Sequence, residues 1–459
     1  MSFEIQGKYN TAKVHTNKDR EECEQEALDQ IQEMVDHEAF VGDDDIAIAP
    51  DFHWGAGAVI GFSMPVKNRI VPNTIGVDIG CSIHAVNLGE IGFGDLEELD
   101  TAIRERVPTG FDVHDRNDYH MLDDFPWDEC KRKLETFSEQ TDFDLPDPDS
   151  VYTESYLTDL CEKVDYDITR SINSIGSLGG GNHFIELGRD EDDDVWCTIH
   201  SGSRGIGAAV AEYWQDRATE HTTTRQSIED VPDGVREYLS EQWQPRADKI
   251  RSDFEGDDIQ RKFDEVSQAI QQYGPHSSDR NTDLDYLEAG EASGYIVDMI
   301  FAQTYASESR KQMVTGVMDA INSVKGESVE VKDEIESVHN YIDFNDATIR
   351  KGACRAHEGE RLVVPFNSRD GAIIARGKGK DSWNKSSAHG AGRAMSRTEA
   401  KNRFDEEDFS EETEGVFMSK EPLDECPSAY KSAEEIEASL GDNVEVVNRI
   451  EPFLSIKAS

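Results

Sequence analysis

Two histidines within the stretch Gly176–Gly205 constrain this chain more than any other feature. His183 follows Gly179-Gly180-Gly181-Asn182, and His200 ends an apolar run, Val195-Trp196-Cys197-Thr198-Ile199, with the character of a buried strand. Ser201-Gly202-Ser203-Arg204-Gly205 comes next, then a helical pattern from Ile206 through Trp214. A glycine-rich turn that opens a helix presents free backbone N–H groups, which suit an anion such as phosphate. A buried strand that ends in a histidine puts that ring where side chains from several segments can meet. Taken alone, each histidine is more simply a packed, hydrogen-bonded residue beside a turn. The same texture, however, returns three more times.

It returns first in the predicted strand Thr74–Val86, where Asp78 stands in an apolar run. A carboxylate there must be paired, hydrogen-bonded or metal-bound. Cys81 follows three residues on, past a glycine. Thiolate and carboxylate together make half of a transition-metal site; the plainer alternative is a buried cysteine beside a turn-forming aspartate. The second return is Val338-His339-Asn340-Tyr341 at the close of a predicted strand, followed by Arg350-Lys351-Gly352-Ala353, a compact basic turn suited to phosphate. The third is Ser386–Arg397, where small residues flank His389 and let a large ligand approach closely.

Between these motifs, strands and helices alternate, which predicts an α/β fold without fixing the sheet order. Helices are expected over 20–40, 96–107, 153–176 and 287–314, the last with Tyr295, Met299, Ala302 and Ala306 on its packing face. Further strands are expected at Asp45–Ala49, Ala58–Pro65, Leu362–Pro365, Ala372–Ala375 and Val446–Ile456, with a surface loop at 138–150. Residues 208–285 are polar, acidic and mostly helical in pattern, an outer region without a functional motif.

Composition sets the surroundings. Lys plus Arg is 46 against 96 Asp plus Glu, a formal net charge of −50. Such acidity normally opposes a nucleic-acid partner, but it also fits a protein of concentrated salt, where screening shortens to about 3 Å. Local cations are the better guide, and Arg204, Arg350, Lys351, Arg355, Arg393 and Arg397 sit near the motifs. Seven scattered cysteines with no CxxC pair exclude a disulfide framework and a zinc finger. No apolar run reaches transmembrane length and the N-terminal residues lack a signal-peptide core, so a cytoplasmic protein with no membrane partner is expected.

His183, His200, His339, His389, Asp78 and Cys81 thus form one candidate constellation. Histidine, cysteine and carboxylate suit zinc, manganese or iron. With cations and exposed amides nearby, the residues point to metal-assisted phosphoryl or nucleotidyl chemistry, and the absence of a Walker A sequence disfavours a P-loop enzyme.

Six motifs, in order, resemble the RtcB family of RNA ligases: Gly76-Val-Asp-Ile-Gly-Cys81, Gly179-Gly-Gly-Asn-His-Phe184, His200-Ser-Gly-Ser-Arg-Gly205, His339-Asn-Tyr341, Arg350-Lys-Gly-Ala353 and His389-Gly-Ala-Gly-Arg393. The resemblance spans about Pro50 to Lys457. It implies a mixed sheet core with surrounding helices, a single catalytic domain over 1–459 and, within it, a predominantly helical subdomain at about 208–330. It further implies a GTP- and Mn²⁺-dependent ligase with two metal ions. Such an enzyme joins an RNA 2′,3′-cyclic phosphate or 3′-phosphate to a 5′-hydroxyl, as in tRNA splicing and RNA repair, and an accessory activator protein is a conceivable partner.

Carried over by motif, Cys81 would bridge the metals, with Asp78 and His183 on one and His200 and His339 on the other. His389 would be the nucleophile that takes GMP. Asn182, Glu186, Asn340, His389, Gly390, Ala391, Gly392, Tyr430 and Lys457 would hold the nucleotide, with Glu186 on the guanine edge and Tyr430 stacked on the base. Arg204, Lys351 and Arg393 would contact phosphate or RNA, and Asp51 and His53 match a further motif near the site.

Two departures matter. The family's Gly-Cys-Gly is Gly80-Cys81-Ser82 here. Its nucleotide loop Pro-Gly-Ser-Met-Gly is Pro365-Phe366-Asn367-Ser368-Arg369, and a family serine that contacts guanine falls on Ala372. A divergent paralogue with altered nucleotide use, a metal-dependent RNA cyclic phosphoesterase and an RNA-binding accessory protein on the same scaffold are therefore the rival readings.

Overall fold

A computed structural model of the chain describes residues 2–457 apart from 117, 230–248, 251, 255–257, 260, 264 and 267–280. Two sheets dominate it. The larger has seven strands in the order Asp333–Val338, Ser82–Gly89, Val195–Ser201, Phe184–Arg189, Val444–Lys457, Gly371–Gly377 and Arg361–Asn367. Each of its ladders is antiparallel. The other has six strands in the order Ser2–Gln6, Thr11–His15, Ile46–His53, Ile60–Pro65, Thr348–Lys351 and Asn340–Asp343, with one parallel pair between the second and third. The core is therefore α/β with a mixed six-stranded sheet.

The sheets meet at a corner. Strand Asp333–Val338 belongs to the larger sheet and Asn340–Asp343 to the smaller, so His339 occupies the single position between them. The His339 N–H donates to the Cys81 carbonyl at 2.9 Å, and the Gly80 N–H to the Asn340 carbonyl at 2.7 Å, which stitches this corner to the start of strand Ser82–Gly89.

Behind the larger sheet runs helix Ala289–Lys325, and Tyr295, Met299, Ala302 and Ala306 on it are fully buried. It outruns the predicted 287–314 because its apolar residues continue through Met313, Val317 and Ile321, which pack beneath the sheet with Ile185, Cys197 and Ile199. Helix Leu96–Arg106 lies alongside and starts at Asp95, whose carboxylate accepts from the Glu97 and Glu98 N–H groups. Beyond helix Arg204–Glu229, most of the expected acidic outer region lies outside the described residues. No described helix is long and apolar enough to cross a membrane.

The helix predicted over 153–176 is broken into Tyr156–Lys163 and Ile168–Asn173, and three more expectations change. The strand predicted over Thr74–Val86 begins only at Ser82. Gly76 and Gly80 both take positive φ and turn the chain before it. At Gly80 a Cβ would stand 3.0 Å from Ala306 Cβ and 3.1 Å from Gln303 Cα, so helix Ala289–Lys325 admits only glycine there. Asp78 accordingly lies in a half-exposed turn rather than in a buried strand.

The strand predicted to stop at Ala49 continues to His53 and carries Asp51 into the interior. It passes Pro50 through a register shift between Ile48 and His53, which spares the proline a ladder bond. The basic turn expected at Arg350–Ala353 is instead the end of strand Thr348–Lys351, with Gly352 linking it to Ala353–Arg355. Arg350 is fully buried and paired with Asp343 and Asp346.

Candidate metal centre and nucleotide cleft

Five side chains from four segments converge at the sheet corner. Cys81 opens strand Ser82–Gly89, His183 precedes Phe184–Arg189, His200 lies near the end of Val195–Ser201, and His339 sits at the junction. Asp78 joins them from the turn. Cys81 Sγ lies 3.1 Å from His200 Nε2 and 3.7 Å from His183 Nε2. His200 Nε2 lies 3.2 Å from His339 Nε2, and His183 Nε2 lies 2.8 Å from Asp78 Oδ2. The donors form two triplets, Cys81/His200/His339 and Asp78/Cys81/His183, with Cys81 common to both and the donor atoms of each within 4.8 Å of one another.

The protonation logic favours cations here. His183 Nδ1 faces the Leu178 carbonyl at 2.9 Å, His200 Nδ1 the Asn182 carbonyl at 3.1 Å, and His339 Nδ1 the Ser337 carbonyl at 3.3 Å. A carbonyl only accepts, so each Nδ1 carries the hydrogen, and in a neutral ring Nε2 offers a lone pair. His200 and His339 then face each other lone pair to lone pair, and His183 faces a carboxylate in the same way. Only a proton or a metal ion relieves such contacts. Burial pushes the His200 imidazole down to about 3 and His339 well below its ordinary value, which disfavours the proton. Burial, with Asp78 beside it, pushes the Cys81 thiol up, so a metal would have to displace its proton. Thiolate, imidazole and carboxylate together suit a divalent transition metal.

Next along the cleft stands His389, whose ring centre is 4.9 Å from that of His339. It follows strand Ser386–Ala388, and Asp51 holds it. Asp51 Oδ2 accepts from His389 Nδ1 at 2.7 Å, from the His389 N–H at 3.2 Å and from the Gly390 N–H at 3.3 Å. His389 Nε2 is thereby left free of this anchor. The loop closes this tightly because Gly392 has φ +69° and a Cβ there would stand 2.2 Å from the Asp51 carbonyl oxygen. His53, beside it, is pushed down to about 4 by burial.

A cavity of about 300 Å³ joins these groups to a polar far end, where Glu186, Arg393, Arg397, Glu425, Tyr430 and Lys457 line it. Glu186 Oε1 accepts from Ser455 Oγ at 2.8 Å and from Ser368 Oγ at 3.2 Å. Glu425 is almost fully buried and gathers the cations: Arg397 at 2.6 Å, Arg393 at 3.3 Å and Lys457 at 3.6 Å. It also accepts from the Tyr430 hydroxyl at 2.5 Å, and the Arg393 guanidinium lies 5.0 Å from the centre of the Tyr430 ring.

The fold thus brings together Asp78, Cys81, Asn182, Glu186, His200, His339, Asn340, His389, Gly390, Ala391, Gly392, Arg393, Tyr430 and Lys457 around one cavity, with His183 joined to it through Asp78 and Cys81. Two cations singled out for phosphate lie outside this lining. Lys351 is buried, with Nζ donating to the Ala56 and Asn73 carbonyls at 2.8 Å each, and burial pushes it down to about 7. Arg204 is spent on Ser177 Oγ at 3.3 Å and the Gly110 carbonyl at 3.4 Å.

Sequence reasoning missed Glu425, Ser368, Ser455 and Arg310. Arg310 Nη1 donates to the Gly80 and Ser201 carbonyls at 2.8 Å each, clamping the neighbours of Cys81 and His200. One signal could have found it, an arginine within an otherwise apolar helical face.

Two donor triplets that could hold metal ions, a histidine anchored by a buried carboxylate and a polar cleft make up the candidate active site of an enzyme. The family model described as tRNA-splicing ligase RtcB matches residues 30–246 and 252–458. The RNA-splicing ligase RtcB1 of Escherichia coli strain ATCC 25922 is 31% identical over 428 residues, covering 90% of each chain. The RNA-splicing ligase RtcB of Escherichia coli K12 is 30% identical over 428 residues, again covering 90% of each. The tRNA-splicing ligase RtcB of Methanococcus maripaludis is 22% identical over 456 residues, covering 84% of this chain and 82% of its own. The chain belongs to the RtcB family of RNA ligases.

Proposed function

We propose that this RNA ligase is GTP- and Mn²⁺-dependent and works through a guanylyl-histidine at His389. It joins an RNA 2′,3′-cyclic phosphate or 3′-phosphate to a 5′-hydroxyl, with tRNA halves among its substrates. The observation that carries the reading is the Asp51–His389 pair at 2.7 Å beside the metal donors.

Asp78 and His183 would hold one metal, His200 and His339 the other, with Cys81 shared. Bound there, divalent cations supply Lewis-acid neutralisation of charge on the transferring phosphates. Asp51 keeps the hydrogen on His389 Nδ1 and aims the Nε2 lone pair at the α-phosphorus of GTP. A P–N bond forms as the α–β P–O bond breaks, and pyrophosphate leaves. Buried Asp51 opposes the positive charge that grows on the imidazole. An oxygen of the RNA 3′-phosphate then attacks the guanylyl phosphorus, and the P–N electron pair returns to Nε2. The 5′-hydroxyl attacks the activated 3′-phosphorus, loses its proton and displaces GMP. A cyclic phosphate is opened by water beforehand.

The Glu186 carboxylate offers acceptors to the N–H edge of guanine, and Lys457 offers a donor to its carbonyl. Ser368, from the altered loop, hydrogen-bonds Glu186, which supports retained guanine use despite the changed residues.

The test is incubation with α-labelled GTP and Mn²⁺ in high salt, beside His389→Ala. Acid-labile label on the wild type alone is expected. An unlabelled wild type that still hydrolyses cyclic phosphate would overturn the reading and leave a phosphoesterase.

A further inference from the structure

We infer that Trp54 and Phe111 are stacking platforms for nucleobases of the single-stranded RNA ends. This rests on the RNA-joining function above and adds residues that bind the substrate outside the metal cleft.

Among the described residues, these are the only phenylalanine or tryptophan side chains left exposed, at 52% and 92%. Each is joined through the chain to a segment of the site. Trp54 follows His53, which lines the cavity beside the His389 anchor. Its position is fixed by the next residue, since the Gly55 N–H and carbonyl both bond the Gln30 amide, at 3.1 and 2.7 Å. Phe111 rides on a loop tied to the glycine turn before His183. The Gly110 N–H donates to the Gly179 carbonyl, and the Leu178 N–H to the Pro108 carbonyl, at 2.8 Å each. Arg170 donates to the Phe111 carbonyl at 2.9 Å and Arg204 to that of Gly110 at 3.4 Å. Trp54 thus adjoins, through His53, the segment that holds His389, and Phe111 adjoins, through Gly110 and Gly179, the turn that leads to His183.

A protein partner is favoured by one contiguous apolar patch, whereas these are two rings on separate segments, after His53 and after Gly110. Single-stranded RNA presents unstacked bases at its ends, and every base has a face that can lie on an aromatic ring.

The experiment uses the full chain and two short single-stranded RNAs. One carries a terminal 3′-phosphate next to 2-aminopurine, and the other a 5′-hydroxyl on 2-aminopurine. Stacking on a ring changes the emission of this base, which a merely structural role for the ring would not do. Wild type should bind and shift the emission. Trp54→Ala and Phe111→Ala should each bind at least one probe about five- to a hundredfold more weakly and lose its emission change. Phe111→Tyr should restore both. Equal affinity and emission in wild type and both alanine variants would overturn the inference and leave the ligase reading standing. A wild type that binds neither RNA would overturn both. A change confined to self-association, read by light scattering, would mark the rim as a protein contact and also overturn it.

Discussion

The hold of Asp51 on His389 allows a graded prediction. One oxygen, Oδ2, accepts all three contacts with His389 and Gly390, while Oδ1 is buried without a partner. In Asp51→Asn the amide oxygen can therefore take the Oδ2 place and keep every contact and the tautomer, while its NH₂ occupies the idle position. What is lost is charge. Hydrogen bonds to a charged acceptor contribute about 1.5–3 kcal/mol and neutral ones about 0.5–1.5, so the loss is about 1–2 kcal/mol. Single-turnover guanylation should slow about 5- to 30-fold. Asp51→Ala removes the anchor and the control of the tautomer; in a serine-protease triad, where asparagine in place of the aspartate imposes the wrong tautomer, that loss is on the order of 10⁴-fold. A fall of about 10³-fold or more is expected here. Bound manganese should not change in either variant, since Asp51 is in neither donor triplet. Label incorporation from α-labelled GTP in rapid-quench experiments, with metal content by atomic emission, measures both. An alanine variant within about threefold of wild type, or an asparagine variant as slow as alanine, would refute the reasoning.

Two further predictions concern the framework. Arg310→Met breaks an ion pair with Glu336 and strips donors from the Gly80 and Ser201 carbonyls. Because Glu336 is about one-third exposed and can rehydrate, the cost should fall near the lower end of the range for a broken buried pair, about 3 kcal/mol, read from urea midpoints. Manganese affinity should drop about 10- to 100-fold by calorimetry. Acidification tests the buried histidines. His15 and His200 have folded values of about 4 and about 3 against an ordinary 6.5, chiefly through burial. Between those limits the unfolded chain binds more protons, so stability rises with pH and is lost as pH falls below 6.5. The slope is about 1.4 kcal/mol per pH unit for each histidine. Urea midpoints of chelator-treated protein should fall from pH 7 to pH 5, and a flat profile would count against neutral burial.

The sequence by itself singled out the side chains that the fold gathers into the two candidate donor triplets. Cys81, His183, His200, His339 and His389 stand out because each lies at a strand end or in a glycine-rich turn, and such junctions are where strand ends deliver side chains. The alternation of elements was enough for an α/β class. Tertiary structure decided how these groups are used. Asp51 reaches His389 across 338 positions, and only closure of the chain creates that contact. Glu425 could not be picked from among 96 acidic residues, because a carboxylate that gathers buried cations and one that faces solvent are spelled alike. Lys351 shows the converse error. Its neighbours read as a phosphate-binding turn, but strand pairing turns its amine onto two backbone carbonyls. Charge is written in the sequence. Whether it meets solvent, a counter-charge or a carbonyl depends on which distant segments pack against it.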